Sequence, residues 1–582
     1  MNRRDFLCSA AAMATASRFG FAGAPEPLQQ FEYSSVDFPD GPQQTQLEQT
    51  HSILMGLSED SLLKPFRDRE GLPAPGDELG GWYDTSAFAP AAQFGQWVSA
   101  LARFYAITRD PATRAKVDRL VQGYAATVSP DGKFFIHNRF PSYTYDKLVL
   151  GLIDAHTYGD QADALAILAR TTSAASPYLP PHAIPRMTRQ LTSEEEFSIH
   201  GWDESYTMPE YLFLAAERSG RSLYRDMAVR FLMNEGFFDP LSEGKDVLAG
   251  RHAYSHMNAL GSAAKAYLVL GDDKYLRAAR NGFDFVERQS FATGGWGPDE
   301  LFSAPGSGDL GDSLEKTHAG FETPCGAYAH FKITRYLLRI TQDARYGDSM
   351  ERVMYNTVLG AKPMQPDGSS FYYSDYHPGG HKTFHPDKWP CCAGTLPQIA
   401  ADYRISTYFR DPRGVFVNLY IPSTLRWKQG DTRLSLTQTG SYPRHGAVQM
   451  TLTAEKSVDC VLRFRVPGWT TAGAAISING QRQTAELRPG TFASVGRTWK
   501  SGDRVELEFP SVRRLQPVDE QHPDLVALVQ GPLVLFSLAE KTPQLSRQQL
   551  LQEDLEKSEV RFLPFMEIGN QAYCTYQKLT RG

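Results

Sequence analysis

The sequence predicts a multidomain α plus β protein, with a closed ring of paired helices over residues 46–405 followed by a β-sandwich over residues 406–545. Three observations predict it. Near residue 405 the apolar pattern changes from a three-to-four-residue period to a period of two. Before that point one punctuation recurs, in "AITRDPATRAKV", "HTYGDQADAL", "AERSGRSLYRDMA", "VLGDDKYLRAAR" and "RITQDARYGDSM". In each, two apolar helices meet at a short polar turn, often with an Asp or Ser able to cap. The irregular spacing of these units argues for a closed ring rather than a short-period solenoid. Third, 582 residues, 41% hydrophobic and 22% charged, suffice for two or three domains with large cores. A formal net charge of -6 without a long basic run excludes a nucleic-acid footprint and a polybasic membrane patch. A neutral or mildly charged small substrate fits better.

The first stretch, "MNRRDFLCSAAAMATASRFGFAGAP", sets Arg3 and Arg4 before a modest apolar run and the small residues Ala22, Gly23 and Ala24. It reads as a twin-arginine signal peptide over residues 1–24, which implies a periplasmic or secreted protein. Residues 25–45 are expected to be a linker that packs on the sandwich. The ring begins after it; in "FGQWVSALARFYAITRD" the residues Phe94, Trp97, Leu101, Phe104 and Tyr105 form one helical stripe. Beyond residue 405, Val415, Val417, Leu419 and Ile421 alternate, as do Cys460, Leu462, Phe464 and Val466, and Val505, Leu507 and Phe509. Residues 546–582, rich in Gln, Glu and Lys, are expected to be a loosely attached tail with a helical part. No stretch after the signal has 18 consecutive apolar residues, so no membrane association is expected once the signal is cleaved.

The chemistry gathers around "DKWPCCAGTLP". The chain has six cysteines; Cys391 and Cys392 are adjacent, too close to bond each other without strain. With Cys325, and with Glu322 three residues before it, they offer three sulfurs and a carboxylate, a donor set suited to tetrahedral zinc. Export in the folded state would allow reduced thiols to be metal-loaded before crossing. Three buried free cysteines are the alternative that spacing leaves open. Glu300 follows the glycine-rich turn of "TGGWGPDELF", where backbone can approach a ligand, although a solvated glutamate would look the same. His252, in "DVLAGRHAYSHMNAL", precedes a helix and is either a hydroxyl partner or a structural histidine.

Taken in order, "LLKPFRDREGLPAPGDELGGWYD", "YTYDKLVLGLIDAH", "TMPEYLFLA", "DVLAGRHA", "GGWGPDELF", "FETPCGAYAHFKITRYLLRIT", "MERVMYNTVLG", "WPCCAGT", "VFVNLYIPS", "VPGW", "WKSGD" and "VALVQGPLVL" resemble the superfamily of glycoside hydrolase families 127, 142 and 146. Its founding activity is β-L-arabinofuranosidase. The resemblance implies an (α/α)6 barrel before β-sandwich material and an exported retaining glycosidase with a carbohydrate substrate. It implies Glu300 as general acid/base, Cys391 as nucleophile, a Zn2+ ion held by Glu322, Cys325, Cys391 and Cys392, and a sugar pocket touched by His252, Glu210 and Asp146. Three departures stand out, the first being Asp146, in a place where relatives often have histidine, which implies a sugar contact changed from neutral to charged. Thr323 and Pro324 separate Glu322 from Cys325 where relatives commonly have one residue; an i,i+3 pair on a helix would still share a face. A longer segment, "SAPGSGDLGDSLEKTHAG", follows "ELF" and is expected to reshape the pocket wall, with Asp299 and Glu315 as rival acids. Another glycone from pectin or arabinan, a sugar-binding protein without catalysis, a purely structural metal site, and iron in place of zinc are the competing readings.

Overall fold

The computed structural model describes residues 26–136, 138–186, 203–552 and 560–580. The expected signal peptide lies outside them. The helical part contains α1 (Pro42–Gly56), α2 (Glu59–Glu70), α3 (Phe94–Thr108), α4 (Pro111–Ala125), α5 (Pro141–Tyr158), α6 (Ala164–Ala175) and α7 (Pro209–Ser219). It continues with α8 (Ser222–Arg230), α9 (Ala253–Leu270), α10 (Asp273–Arg288), α11 (Thr323–Thr341), α12 (Arg345–Asn356) and α13 (Cys391–Thr407). The turns between pairs work as the sequence suggests. Asp110 caps α4 by accepting from the amides of Ala112 and Thr113, with Pro111 at the first helical position, and Asp272 caps α10. Gly220 and Gly271 close α7 and α9 in the left-handed conformation that glycine adopts at low cost.

Helices α3, α5, α7, α9, α11 and α13 each pack on the next, and α13 returns to α3. Behind them lie α4, α6, α8, α10, α12 and α1, one against each inner helix. This is an (α/α)6 barrel. An inner helix has neighbours on every side, so α3 buries 12 of its 15 residues rather than a single stripe. Only its rim looks outward, where Tyr105 donates to Asp160 at 2.9 Å. Helices α3 and α5 touch through glycines: a Cβ on Gly95 would sit 2.0 Å from the Lys147 carbonyl oxygen. One level of the barrel interior is ionic. Arg103 bridges Asp154 and Asp402 at 2.8 and 2.9 Å, Arg335 also pairs with Asp402 at 2.9 Å, and Tyr33 donates to Asp402 at 2.7 Å.

The segment before α1 threads the sandwich. Strand β1 (Gln29–Gln30) pairs with Tyr408–Asp411 at the edge of a five-stranded sheet, and β2 (Val36–Asp37) pairs with Ser423–Gln429 at the edge of a seven-stranded one. Buried Arg465 fastens this part to α12 through Glu351 at 2.7 Å. Residues 513–545 leave the sandwich and build a third, six-stranded sheet that includes Phe562–Pro564 and Gln577–Leu579. The expectation of a loose tail is therefore corrected. Its Gln, Glu and Lys content hides Tyr573, Cys574 and Tyr576, which are buried, and the Lys382 ammonium donates to the Phe565 and Ile568 carbonyls at 2.7 Å. Among the described residues, no helix is long and apolar enough to cross a membrane.

Candidate active site

The cysteine pair opens α13. Pro390 is its N-cap, Cys391 and Cys392 its first two residues, while Cys325 lies in the first turn of α11. Two helix N-termini thus converge on three sulfurs, and their positive dipole ends favour thiolate over thiol. Glu322 does not sit on the helix as the i,i+3 argument expected. It belongs to strand β3 (Phe321–Glu322), which pairs with β4 (Tyr373–Ser374), and serves as the extended residue before α11, with Pro324 in the first turn. That arrangement still delivers its carboxylate. Cys325 Sγ is 3.4 Å from both Cys391 Sγ and Cys392 Sγ; Glu322 Oε1 is 3.2 Å from Cys391 and 3.9 Å from Cys392.

These four buried groups fit a metal ion. One ligand atom from each lies within 4.8 Å of all the others, and ligands at zinc–sulfur bond lengths span about 3.7 Å in a tetrahedron. Glu322 Oε2 is buried without a hydrogen-bond partner. Burial and the neighbouring sulfur charge push Glu322, Cys325 and Cys392 well up. Burial pushes Cys391 up too, but hydrogen bonds from Cys325, Cys392, Tyr372 and Glu322 outweigh it and hold this thiol well below its usual value. Of the four, Cys391 is the group whose surroundings favour the anion, and a cation among them would favour ionisation of the others. Among the described residues no disulfide forms, and Cys460 and Cys574 are buried elsewhere.

A cavity of about 280 Å3, near the lower end for ligand pockets (~300–1,000 Å3), opens onto this cluster. The adjacent cysteines part company here: Cys391 lines the cavity, 7% exposed, whereas Cys392 and Cys325 are 1% and 0% exposed and do not. Glu300 faces it from the turn after Gly297. Asp299 and Glu300 both adopt positive φ, 53° and 63°, a strained conformation for non-glycine residues, and an isolated bridge between His252 and Leu301 brings His252 alongside. Tyr373 donates to Glu300 Oε1 at 2.5 Å, and the Tyr372 hydroxyl lies between Glu300 Oε1 at 3.4 Å and Cys391 Sγ at 3.3 Å. Burial alone would raise the Glu300 carboxyl, but His252, Tyr373 and Arg186 together hold it at about 2.

The rest of the lining divides in two. One wall is aromatic, Trp82 packing on Phe88 at 4.8 Å and Phe88 on Phe140 at 5.1 Å, with the Trp82 indole tied to Asp387 at 2.9 Å. The other is ionic and holds His252, Glu204 and Arg186, the last two unsuspected from the sequence because nothing local marks an ion pair closed across 18 residues. Asp146 and Glu210 do not line this cavity. Each is buried in an ion pair, Asp146 with Lys147 at 2.7 Å and Glu210 with Lys332 at 2.6 Å. The rivals to Glu300 lie elsewhere: Asp299 accepts from Thr317 at 2.8 Å and Glu315 is exposed. The segment after "ELF" docks away from the pocket, with the Gly311 amide on Asp519 at 2.7 Å, and contributes nothing to the lining.

Residues 35–404 match the family model described as the β-L-arabinofuranosidase GH127 catalytic domain, and residues 414–511 match the GH127 middle domain. A non-reducing end β-L-arabinofuranosidase of Bifidobacterium longum subsp. longum is 24% identical over 295 residues, covering 46% of this chain. The match spans 42% of that protein, less than half its length. A GH127 β-L-arabinofuranosidase from Geobacillus stearothermophilus superposes with a TM-score of 0.70 at 18% identity, over 94% of this chain and 100% of its own. A second GH127 β-arabinofuranosidase gives 0.73 at 18% identity, over 95% and 98%. At such identities the likeness is one of fold.

Proposed function

Because the chain belongs to the GH127 β-L-arabinofuranosidase family, we propose that it is a retaining exo-glycosidase acting on β-L-arabinofuranosides of plant cell-wall material. The observation that carries this reading is the division of labour between adjacent cysteines: Cys391 reaches the cavity beside Glu300, and Cys392 stays behind it in the cluster. The small cavity suits one terminal sugar, its hydroxyls toward the ionic wall and its C–H face toward the aromatic one.

Glu322, Cys325, Cys391 and Cys392 would hold a zinc ion, whose charge keeps the thiols deprotonated without their needing a basic environment. Cys391 Sγ attacks the anomeric carbon, and its bond to carbon forms as the glycosidic C–O bond breaks. Glu300 gives its proton to the leaving oxygen. In the second step Glu300 takes a proton from water, the water oxygen bonds to the anomeric carbon and the S–C bond breaks. Two inversions leave the anomeric configuration unchanged. Export by the twin-arginine route completes the proposal and rests on the N-terminal sequence alone.

The test is sugar release from an aryl β-L-arabinofuranoside by the reduced, zinc-loaded enzyme, with Cys391→Ala as its pair. Release by the wild type alone supports the reading. Equal release by both removes Cys391 from the chemistry, and release by neither, with both folded and metal-bound, removes the substrate.

A further inference from the structure

Glu300 poses a problem for any acid/base role, because the pocket stabilises it as a carboxylate while the first step needs it to deliver a proton. The neighbouring ring supplies one. His252 Nδ1 lies 2.8 Å from Glu204 Oε1 and His252 Nε2 lies 3.4 Å from Glu300 Oε2. Glu204 also pairs with Arg186 at 2.6 Å, and Arg186 reaches to 4.0 Å from Glu300 Oε2. His252 Nδ1 also lies 2.8 Å from the Ser255 hydroxyl; of these two partners only the ionised Glu204 carboxylate is confined to accepting, so it favours a proton on Nδ1, and Nε2 becomes the position that gains or loses one. Glu204 is buried and holds a positive φ of 52°, a second strained acidic residue in the same site.

We propose that Glu204 and His252 form with Glu300 a proton-holding triad, in which Glu204 positions the imidazole and His252 Nε2 stores the proton that Glu300 passes to the leaving oxygen. The inference rests on the acid/base role given to Glu300 above. The proton balance closes. The Nε2 proton moves to Glu300 Oε2 and on to the glycosidic oxygen, leaving neutral His252 and a Glu300 carboxylate. In the second step Glu300 removes a proton from water and returns it to Nε2.

Other charges near the ring set the direction of its titration. Burial and Arg186 push His252 down, while Glu204 and Glu300 push it up, and the net effect is a value above 6.5. On its own segment, His256 is held neutral by burial and donates Nδ1–H to the His252 carbonyl at 2.8 Å, while Arg251 is turned away onto the Gly236 carbonyl at 2.8 Å. Tyr206 reaches the ring only through Ser255, at 2.8 Å.

Two substitutions should move the titration in opposite directions. Glu204→Gln removes the anion that favours the imidazolium, so the alkaline limb of kcat moves to lower pH by about one unit, and kcat falls about tenfold more at the alkaline end than at the acid end. Arg186→Met removes a cation from the same ring and moves that limb to higher pH. A limb that stays in place in both variants, with any loss uniform across pH, overturns the proposal. Histidine-labelled NMR of the zinc-loaded protein, with the His252 resonance assigned by its loss in His252→Gln, follows the same titration without substrate. If no glycoside is turned over, the glycosidase reading has failed, but the NMR titration still decides whether Glu204 controls the His252 proton; an unshifted titration in Glu204→Gln refutes it.

Discussion

The barrel interior holds two buried polar clusters on the same two helices, and they are built by opposite rules. Cys325 and Cys391 stand at the starts of α11 and α13; Arg335 and Asp402 follow them by ten and eleven residues, about 15 Å further along each axis. At the lower level two carboxylates meet two guanidiniums, every charge is matched, and Ser99 and Tyr33 supply further donors at 2.6 and 2.7 Å. At the upper level a carboxylate and three sulfurs face one another with no side-chain cation among them and with Glu322 Oε2 unpartnered. A matched cluster holds helices together. An unmatched one, open to a cavity at one sulfur, offers a donor set for a cation and, under the function proposed above, a group that reacts.

Substitutions should separate the two levels. The largest effect is expected from Cys391→Ala, which should lower kcat roughly 1,000-fold or more, because a nucleophile has no substitute, while the melting curve keeps its midpoint within a few degrees. Asp402→Ala should do the reverse. It leaves Arg103 and Arg335 uncompensated in the core and should cost about 3–5 kcal/mol in denaturant unfolding, with residual folded enzyme keeping its KM. Glu322→Gln should weaken metal affinity at least tenfold, about 1.4 kcal/mol or more, in competition with a chelator. The smallest effect on catalysis is expected from Asp146→Asn, which breaks the pair with Lys147 outside the cavity. KM should change less than about threefold while the unfolding midpoint falls, and a large rise in KM would restore Asp146 as a sugar contact.

The reactive level was far more legible in the sequence than the structural one. The cysteine doublet is unusual locally and stands out by residue type alone, whereas Glu300 and Glu322 took their roles from the order of family-like segments around them, since a solvated glutamate would look the same. The period change at residue 405 was visible because side-chain alternation is a local property. Arg103 with Asp402, and Glu204 with His252, close over long separations, and each residue alone looks like any charged residue on a helix or loop. Asp146 and Glu210 illustrate the cost of placing residues by motif alone. Both lie on inner helices, but Lys147 and Lys332 hold them within the core, clear of the cavity. The extra residue between Glu322 and Cys325 was absorbed by a switch from strand to helix, a backbone event that helical spacing could not anticipate.

The most direct test is peptide mass spectrometry of the zinc-loaded enzyme, acid-quenched during turnover of an aryl β-L-arabinofuranoside. The predicted result is the mass of one pentosyl residue on the peptide bearing the cysteine doublet, with fragmentation placing it on Cys391 and no adduct in Cys391→Ala. An adduct on Cys392 or on a glutamate, or turnover that continues in Cys391→Ala, would contradict the assignment of one cysteine to reaction and its neighbour to the metal.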